Sequence, residues 1–274
     1  NNMELFHKVF DRVVDNGKML RNVFTMLRSG VFGRRGMGYS IQRAFSRYFN
    51  TKSPNNILAA SIGNDPTLRD ILRMARPTPV DASRSAMFAW AANKTYKFDE
   101  LPAELQNLLN YRTAVTEDEQ IKLLEGSRYR WDLLADQARG PEVWKSIAQN
   151  MGHQALRMNL NTLQRHGVLN DKNMVNYVAD KVGNPDEVRK ARQFPYQYFY
   201  AYMNAESDIP SVIRNALNSA AETACGNIPE LPGPIVIGVD VSGSMSSPIT
   251  GSRGYGATSK MRVVDAAAVY AAAL

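Results

Sequence analysis

Apolar side chains recur at helical spacing through almost all of the first 230 residues, and this periodicity restricts the chain more than any other feature. Leu5, Val9 and Val13, then Met19, Val23 and Leu27, then Ile41, Phe45 and Tyr48 fall three or four apart, which puts each set on one helix face. Asp65-Pro66-Thr67 opens another helix, with Leu68, Ile71 and Leu72 as its apolar stripe, and Pro77 and Pro79 close it. The same reading gives helices over 83–92, 101–109, 117–124, 128–137, 141–149, 152–166, 171–180, 185–191, 195–205 and 208–224. Breaks fall at Gly140-Pro141, Gly167 and Gly183-Asn184-Pro185. Short helices joined by short turns predict a mostly α fold, an α-solenoid of paired helices. No strict period is present, so the expected repeats are HEAT-like.

The pattern changes at Gly226-Asn227-Ile228-Pro229-Glu230-Leu231-Pro232-Gly233-Pro234, which reads as a linker. The run Ile235-Val236-Ile237-Gly238-Val239 then predicts a strand buried on both faces, as in a parallel α/β sheet. A polar loop, Asp240-Val241-Ser242-Gly243-Ser244-Met245, and an Ala-rich helix from about Met261 follow. One strand and one helix cannot enclose a core. The expected organisation is therefore a helical-repeat domain over 1–230 and the first, incomplete part of an α/β domain over 231–274.

The single cysteine, Cys225, excludes an intrachain disulfide and fits a reducing compartment. No signal-peptide pattern and no apolar run of membrane-spanning length is present, so a cytoplasmic protein without a membrane partner is expected. Three histidines and one cysteine leave no thiolate zinc site. The net charge is +7, and all but one unit of it falls in the first 230 residues. Such a balance attracts polyanions without saying which.

Two groups of residues carry chemistry. Asp240, Ser242 and Ser244 stand directly after the predicted strand and offer one carboxylate and two hydroxyls on one tight loop. These are hard oxygen ligands of the kind Mg²⁺ or another divalent cation takes while keeping several waters. A nucleophilic serine would need a base held by an orienting acid. The nearest histidines, His166 and His153, lie in the helical part, and no acid/base constellation supports an enzyme. The second group is basic: Arg28, Arg34, Arg35, Arg43, Arg47 and Lys52, interleaved with Tyr39, Phe45, Tyr48 and Phe49. Arg69 and Arg73 follow one helical turn apart, with Arg76 three residues on, a ladder suited to a phosphate backbone. Asp70 offers Arg73 a competing partner, and the aromatic residues are expected in the core rather than as stacking platforms.

Several segments resemble the Ro/TROVE family. The stretch from Asp65 to Pro79 is similar to the family segment in which a helix of form RDxLRxxHPKP ends at two prolines, with Arg76 where His is common and Thr78 where Lys is common. Asn159-Leu160-Asn161-Thr162-Leu163 with Gly167-Val168-Leu169 resembles its LRNL-type helix, and Phe194-Pro195-Tyr196-Gln197-Tyr198 its FPFR-like segment. The terminal DVSGSM string, Asp240 to Met245, resembles the metal-ion-dependent adhesion site of von Willebrand factor A domains, which follows in the family's own order. The resemblance implies a ring of HEAT-like repeats closed by the A domain, with Mg²⁺ at Asp240, Ser242 and Ser244. It implies binding of small Y-like RNAs and of single-stranded 3′ ends of misfolded RNAs, in RNA quality control alongside a 3′ exoribonuclease. Arg34, Arg35, Arg43, Arg47, Lys52, Arg69, Arg73 and Arg76 are the candidate RNA contacts. The alternative is a protein-interaction module in which the A-domain metal captures a partner's acidic side chain.

Overall fold

The computed structural model describes residues 2–31, 33, 36–63, 65–250 and 259–274. Helices dominate, as the periodicity predicts: α1 (Asn2–Val13), α2 (Gly17–Arg28), α3 (Tyr39–Thr51), α4 (Pro54–Ala60), α5 (Leu68–Ala75), α6 (Ala82–Ala91), α7 (Ala103–Thr113) and α8 (Glu117–Leu124). After them come α9 (Pro141–Asn150), α10 (His153–Met158), α11 (Leu160–Arg165), α12 (Lys172–Gly183), α13 (Pro185–Ala191), α14 (Pro195–Asn204), α15 (Ser211–Cys225) and α16 (Val263–Ala273). They form two compact units, Asn1–Arg139 and Gly140–Leu274, which are treated separately below.

In the first unit α1 packs on α3, α3 on α5 and α2 on α4, while α7 packs on both α4 and α8. The sequence α1–α3–α5 forms one row, and α2–α4–α7 forms another. The aromatic residues of α3 are the core of this arrangement. Phe45 packs between Phe10 of α1 (5.4 Å) and Phe24 of α2 (6.4 Å), and Phe49 meets Phe88 of α6 at 5.9 Å. Tyr48 is also buried, and only Tyr39, 77% exposed, points away from the core. At the start of α2, Gly17 lies so close to α4 that a Cβ there would sit 2.4 Å from the Ala60 Cα. A buried amide closes the far end of the unit. Gln120 of α8 donates to the carbonyls of Tyr111 (3.1 Å) and Gln137 (2.8 Å) and accepts from the Arg139 N–H (3.1 Å).

In the second unit α15 carries α12, α13 and α14 on its surface, and α10 touches α12, α13 and α14 in turn. Ile213, Leu217, Ala220 and Ala224 of α15 are fully buried, one apolar residue every three or four positions. The Ala-rich helix α16 lies on α14, where Tyr270 meets Phe194 and Tyr196, each at 5.5 Å.

Three sequence expectations need correction. The helix expected over 128–137 is two 3₁₀ turns, Trp131–Leu133 and Ala135–Gln137. The turns close on i→i+3 bonds, and the Leu134 carbonyl accepts both the Gln137 N–H at 3.1 Å and the Tyr111 hydroxyl at 3.0 Å. The helix expected over 152–166 breaks at Asn159, whose side-chain amide competes for the Ala155 carbonyl at 2.7 Å. The strand expected at 235–239 does not form, and Val236 is 98% exposed. A strand needs neighbours for its backbone groups, and among the described residues there is no other strand, only an isolated bridge between Pro248 and Arg262.

Candidate nucleic-acid interface

The capping of α5 sets the geometry of the basic ladder. Thr67 is the N-cap, and its hydroxyl accepts from the Asp70 N–H at 3.2 Å. In return the Thr67 N–H and hydroxyl both donate to Asp70 Oδ2, at 3.0 and 2.6 Å. This capping box satisfies two orphan groups of the helix start. It also turns the Asp70 carboxylate back toward Thr67, so no ion pair forms with Arg73. The Thr67 hydrogen bonds, with smaller help from the Arg28 and Arg73 charges, hold the Asp70 carboxyl below the usual carboxylate range. A lowered value means that this contribution to stability is present above the unfolded value and fades as pH falls through the folded one. At the other end of α5, Arg76 is the C-cap in the left-handed region (φ 46°), its N–H donating to the Leu72 carbonyl at 2.9 Å.

With Asp70 held in this way, Arg69 and Arg73 face an open cleft of about 640 Å³ between α5, the end of α6 and α7. Arg112 of α7 and the half-buried Trp90 of α6 complete its wall. The Nε atoms of Arg69 and Arg112 are both buried without a hydrogen-bond partner. A second lobe of about 600 Å³ shares Arg69, Arg73 and Asn93 with the first and adds Arg76 and Lys94. Five cations from three helices and their flanks therefore border these two adjoining depressions, with Asp70 as the carboxylate in the lining, and sequence spacing had shown only three of the cations.

The remaining predicted contacts lie elsewhere. Arg47 forms a two-pronged pair with Asp11 of α1, Nε to both carboxylate oxygens (3.1 and 3.0 Å) and Nη2 to Oδ1 (2.9 Å). Its Nη2 also meets His7 Nδ1 at 3.3 Å. Arg47 is thus a brace between α1 and α3, and a partner 36 residues away is invisible to sequence adjacency. Arg43 is exposed with its guanidinium 5.9 Å from the Tyr39 ring, and the Lys52 ammonium lies 5.8 Å from the Tyr48 ring. Neither lines the cleft. Arg34 and Arg35 fall outside the described residues.

In the second unit, the Ser242 N–H donates to Asp240 Oδ1 at 2.8 Å, and the hydroxyls of Ser242 and Ser244 stand 3.1 Å apart. The bond from Ser242 lowers the Asp240 carboxyl from its ordinary value. All three residues are exposed, on an irregular segment running into a short 3₁₀ turn at Gly243–Ser246. The carboxylate and the two hydroxyls lie on this one loop, with a single negative charge. Among the described residues no group of three His, Cys, Asp or Glu side chains joins to hold an ion.

Comparison with known proteins bears on the helical part. Residues 119–230 match the model of the TROVE domain. The chain is similar to a Ro protein. Over 192 residues it is 28% identical to the RNA-binding protein RO60 of Deinococcus radiodurans, a stretch covering 65% of this chain and 36% of that protein. The fold resembles the crystal structure of the Deinococcus radiodurans RO (RSR) protein, with a TM-score of 0.62 and 21% identity over 81% of this chain and 48% of the other. The chain thus spans between about a third and a half of the length of the Ro relatives it matches. The TROVE match takes in α8 to α15, whereas the arginine cleft lies on the N-terminal side of it. Among the described residues no helix is long and apolar enough to cross a membrane.

Proposed function

We propose that this chain binds RNA through the cleft of Arg69, Arg73 and Arg112, as a non-catalytic part of a cytoplasmic ribonucleoprotein. One observation carries the reading: three guanidiniums converge on one cleft while the adjacent carboxylate, Asp70, is bound to Thr67. Guanidiniums supply planar sets of N–H donors that suit an oxyanion. Arg76 and Lys94 extend the positive surface for a neighbouring phosphate, and Trp90 offers a ring to a base. The printed name of the Deinococcus relative, an RNA-binding protein, supports the same ligand class.

The finer reading rests on the Ro resemblance. The RNAs are small non-coding Y-like species and the 3′ ends of misfolded RNAs, the role is quality control within a ring of helical repeats, and the partner is a 3′ exoribonuclease. Residues 231–274 belong to the start of a von Willebrand factor A domain in this reading. Asp240, Ser242 and Ser244 would hold Mg²⁺ there, since their oxygens are of the hard type the ion takes. The ion would supply positive charge for a partner, and no step of RNA binding passes through it.

The test is affinity for single-stranded RNA at several salt concentrations. Each neutralised phosphate releases counterions, so log K should fall with log salt by about 0.7 per contact, and by about 2 for three arginines. An affinity independent of salt would overturn the reading. Sequencing the RNA that copurifies would then separate small structured RNAs from 3′ ends.

A further inference from the structure

Arg157 of α10 is only 5% exposed, yet no carboxylate faces it; the nearby groups that act on its charge are the hydroxyls of Tyr198, Tyr196 and Tyr200. Its Nε donates to Gln193 Oε1 at 2.9 Å, and its Nη1 donates to the Gln197 carbonyl. The guanidinium carbon lies 5.5 Å from the centre of the Tyr198 ring. These contacts brace α10 against the start of α14, and they use the Nε–H and one of the two Nη groups. They leave Nη2 with no partner among the described residues. A buried cation with an open Nη group and no counter-charge is unfavourable, because desolvation is not offset by pairing.

A cavity of about 170 Å³ opens beside it, lined by Arg157, Met158, Asn161, Tyr200 and Asn204 among others. The two asparagine amides are already engaged. Asn161 donates to the Asn204 carbonyl (2.9 Å) and accepts from the Glu206 N–H (3.1 Å), while Asn204 donates to the Tyr200 carbonyl (2.8 Å) and accepts from the Lys260 N–H (3.0 Å). The polar groups left to a ligand are the Arg157 guanidinium and the Tyr200 hydroxyl, both donors. At about 30 Å³ per water the space holds roughly five waters, room for a phosphate group and too little for a nucleoside.

We infer that this cavity is a phosphate subsite, in which Arg157 Nη2 and the Tyr200 hydroxyl hold one phosphate group, either the free ion or the terminal phosphate of a strand. The site lies in a different unit from the arginine cleft and does not rest on RNA binding there.

Calorimetric titration of the chain with inorganic phosphate, at ionic strength held constant with chloride, tests this. Saturable binding is expected, at least tenfold weaker in Arg157→Lys, which keeps the charge and loses Nη2 as a separate donor. Tyr200→Phe removes a hydroxyl alone, so it keeps the test open should Arg157→Lys fail to fold; a several-fold weakening is expected. No saturable binding in the parent, unchanged affinity in both variants, or acetate bound as tightly as phosphate would each overturn the proposal. Competition with a short oligonucleotide identifies the source. Displacement of phosphate by the 5′-phosphorylated form alone assigns the site to a strand end, and displacement by neither form assigns it to the free ion.

Discussion

Replacing Arg69 and Arg73 together with alanine is expected to weaken single-stranded RNA binding about a hundredfold. A charged hydrogen bond contributes about 1.5 kcal/mol or more, so two contacts sum to about 3 kcal/mol, or two decades in Kd. The salt dependence should flatten by up to about 1.4, at about 0.7 per lost phosphate contact. The loss should be similar for all sequences, because phosphate contacts position a strand without reading it. Arg43→Ala serves as the control, since Arg43 is exposed but outside the cleft. Equal losses for Arg43→Ala and the double variant would mean that general charge, rather than this cleft, holds the RNA.

The second large effect concerns stability. Gln120 is completely buried, and its amide satisfies two carbonyls and one N–H drawn from two separate stretches of chain. Gln120→Leu keeps the volume and leaves all three backbone groups unpaired. At about 1 kcal/mol or more for each unsatisfied buried group, the unit should lose about 3 kcal/mol. For a unit of this size that corresponds to a fall of roughly 10 °C in Tm. Thermal unfolding followed by circular dichroism measures it, and a shift under about 2 °C would show that water replaces the amide.

Helix positions were legible because periodicity and caps are local. The helix α8 occurs over 117–124, where the sequence places it, and Phe45, Tyr48 and Phe49 are core as expected. What sequence could not show is what distant residues do to each other. The Leu134 carbonyl also accepts from a tyrosine 23 residues away, and the Arg47 charge is taken by an aspartate 36 residues away. The short helix α4 was missed although Ser53-Pro54 is a sound start signal. The candidate site was half legible. The α5 ladder stood out by spacing, but Arg112 and Lys94 join it only through packing. The β-branched run at 235–239 has strand chemistry and no pairing partner, and chemistry alone does not make a ladder.

The Thr67 hydroxyl has a reach beyond its own helix turn. Together with the Thr67 N–H at 3.0 Å, it holds Asp70 Oδ2 at 2.6 Å and keeps the carboxylate from pairing directly with Arg73, whose charge the carboxylate still feels. Thr67→Val would leave the backbone N–H as the carboxylate's remaining tie to residue 67 and loosen it toward the arginine, so a residue outside the charged set would act as a rheostat for the field in the cleft. Such a variant should lose salt-sensitive RNA affinity as though one arginine had been removed, while its guanidiniums all remain.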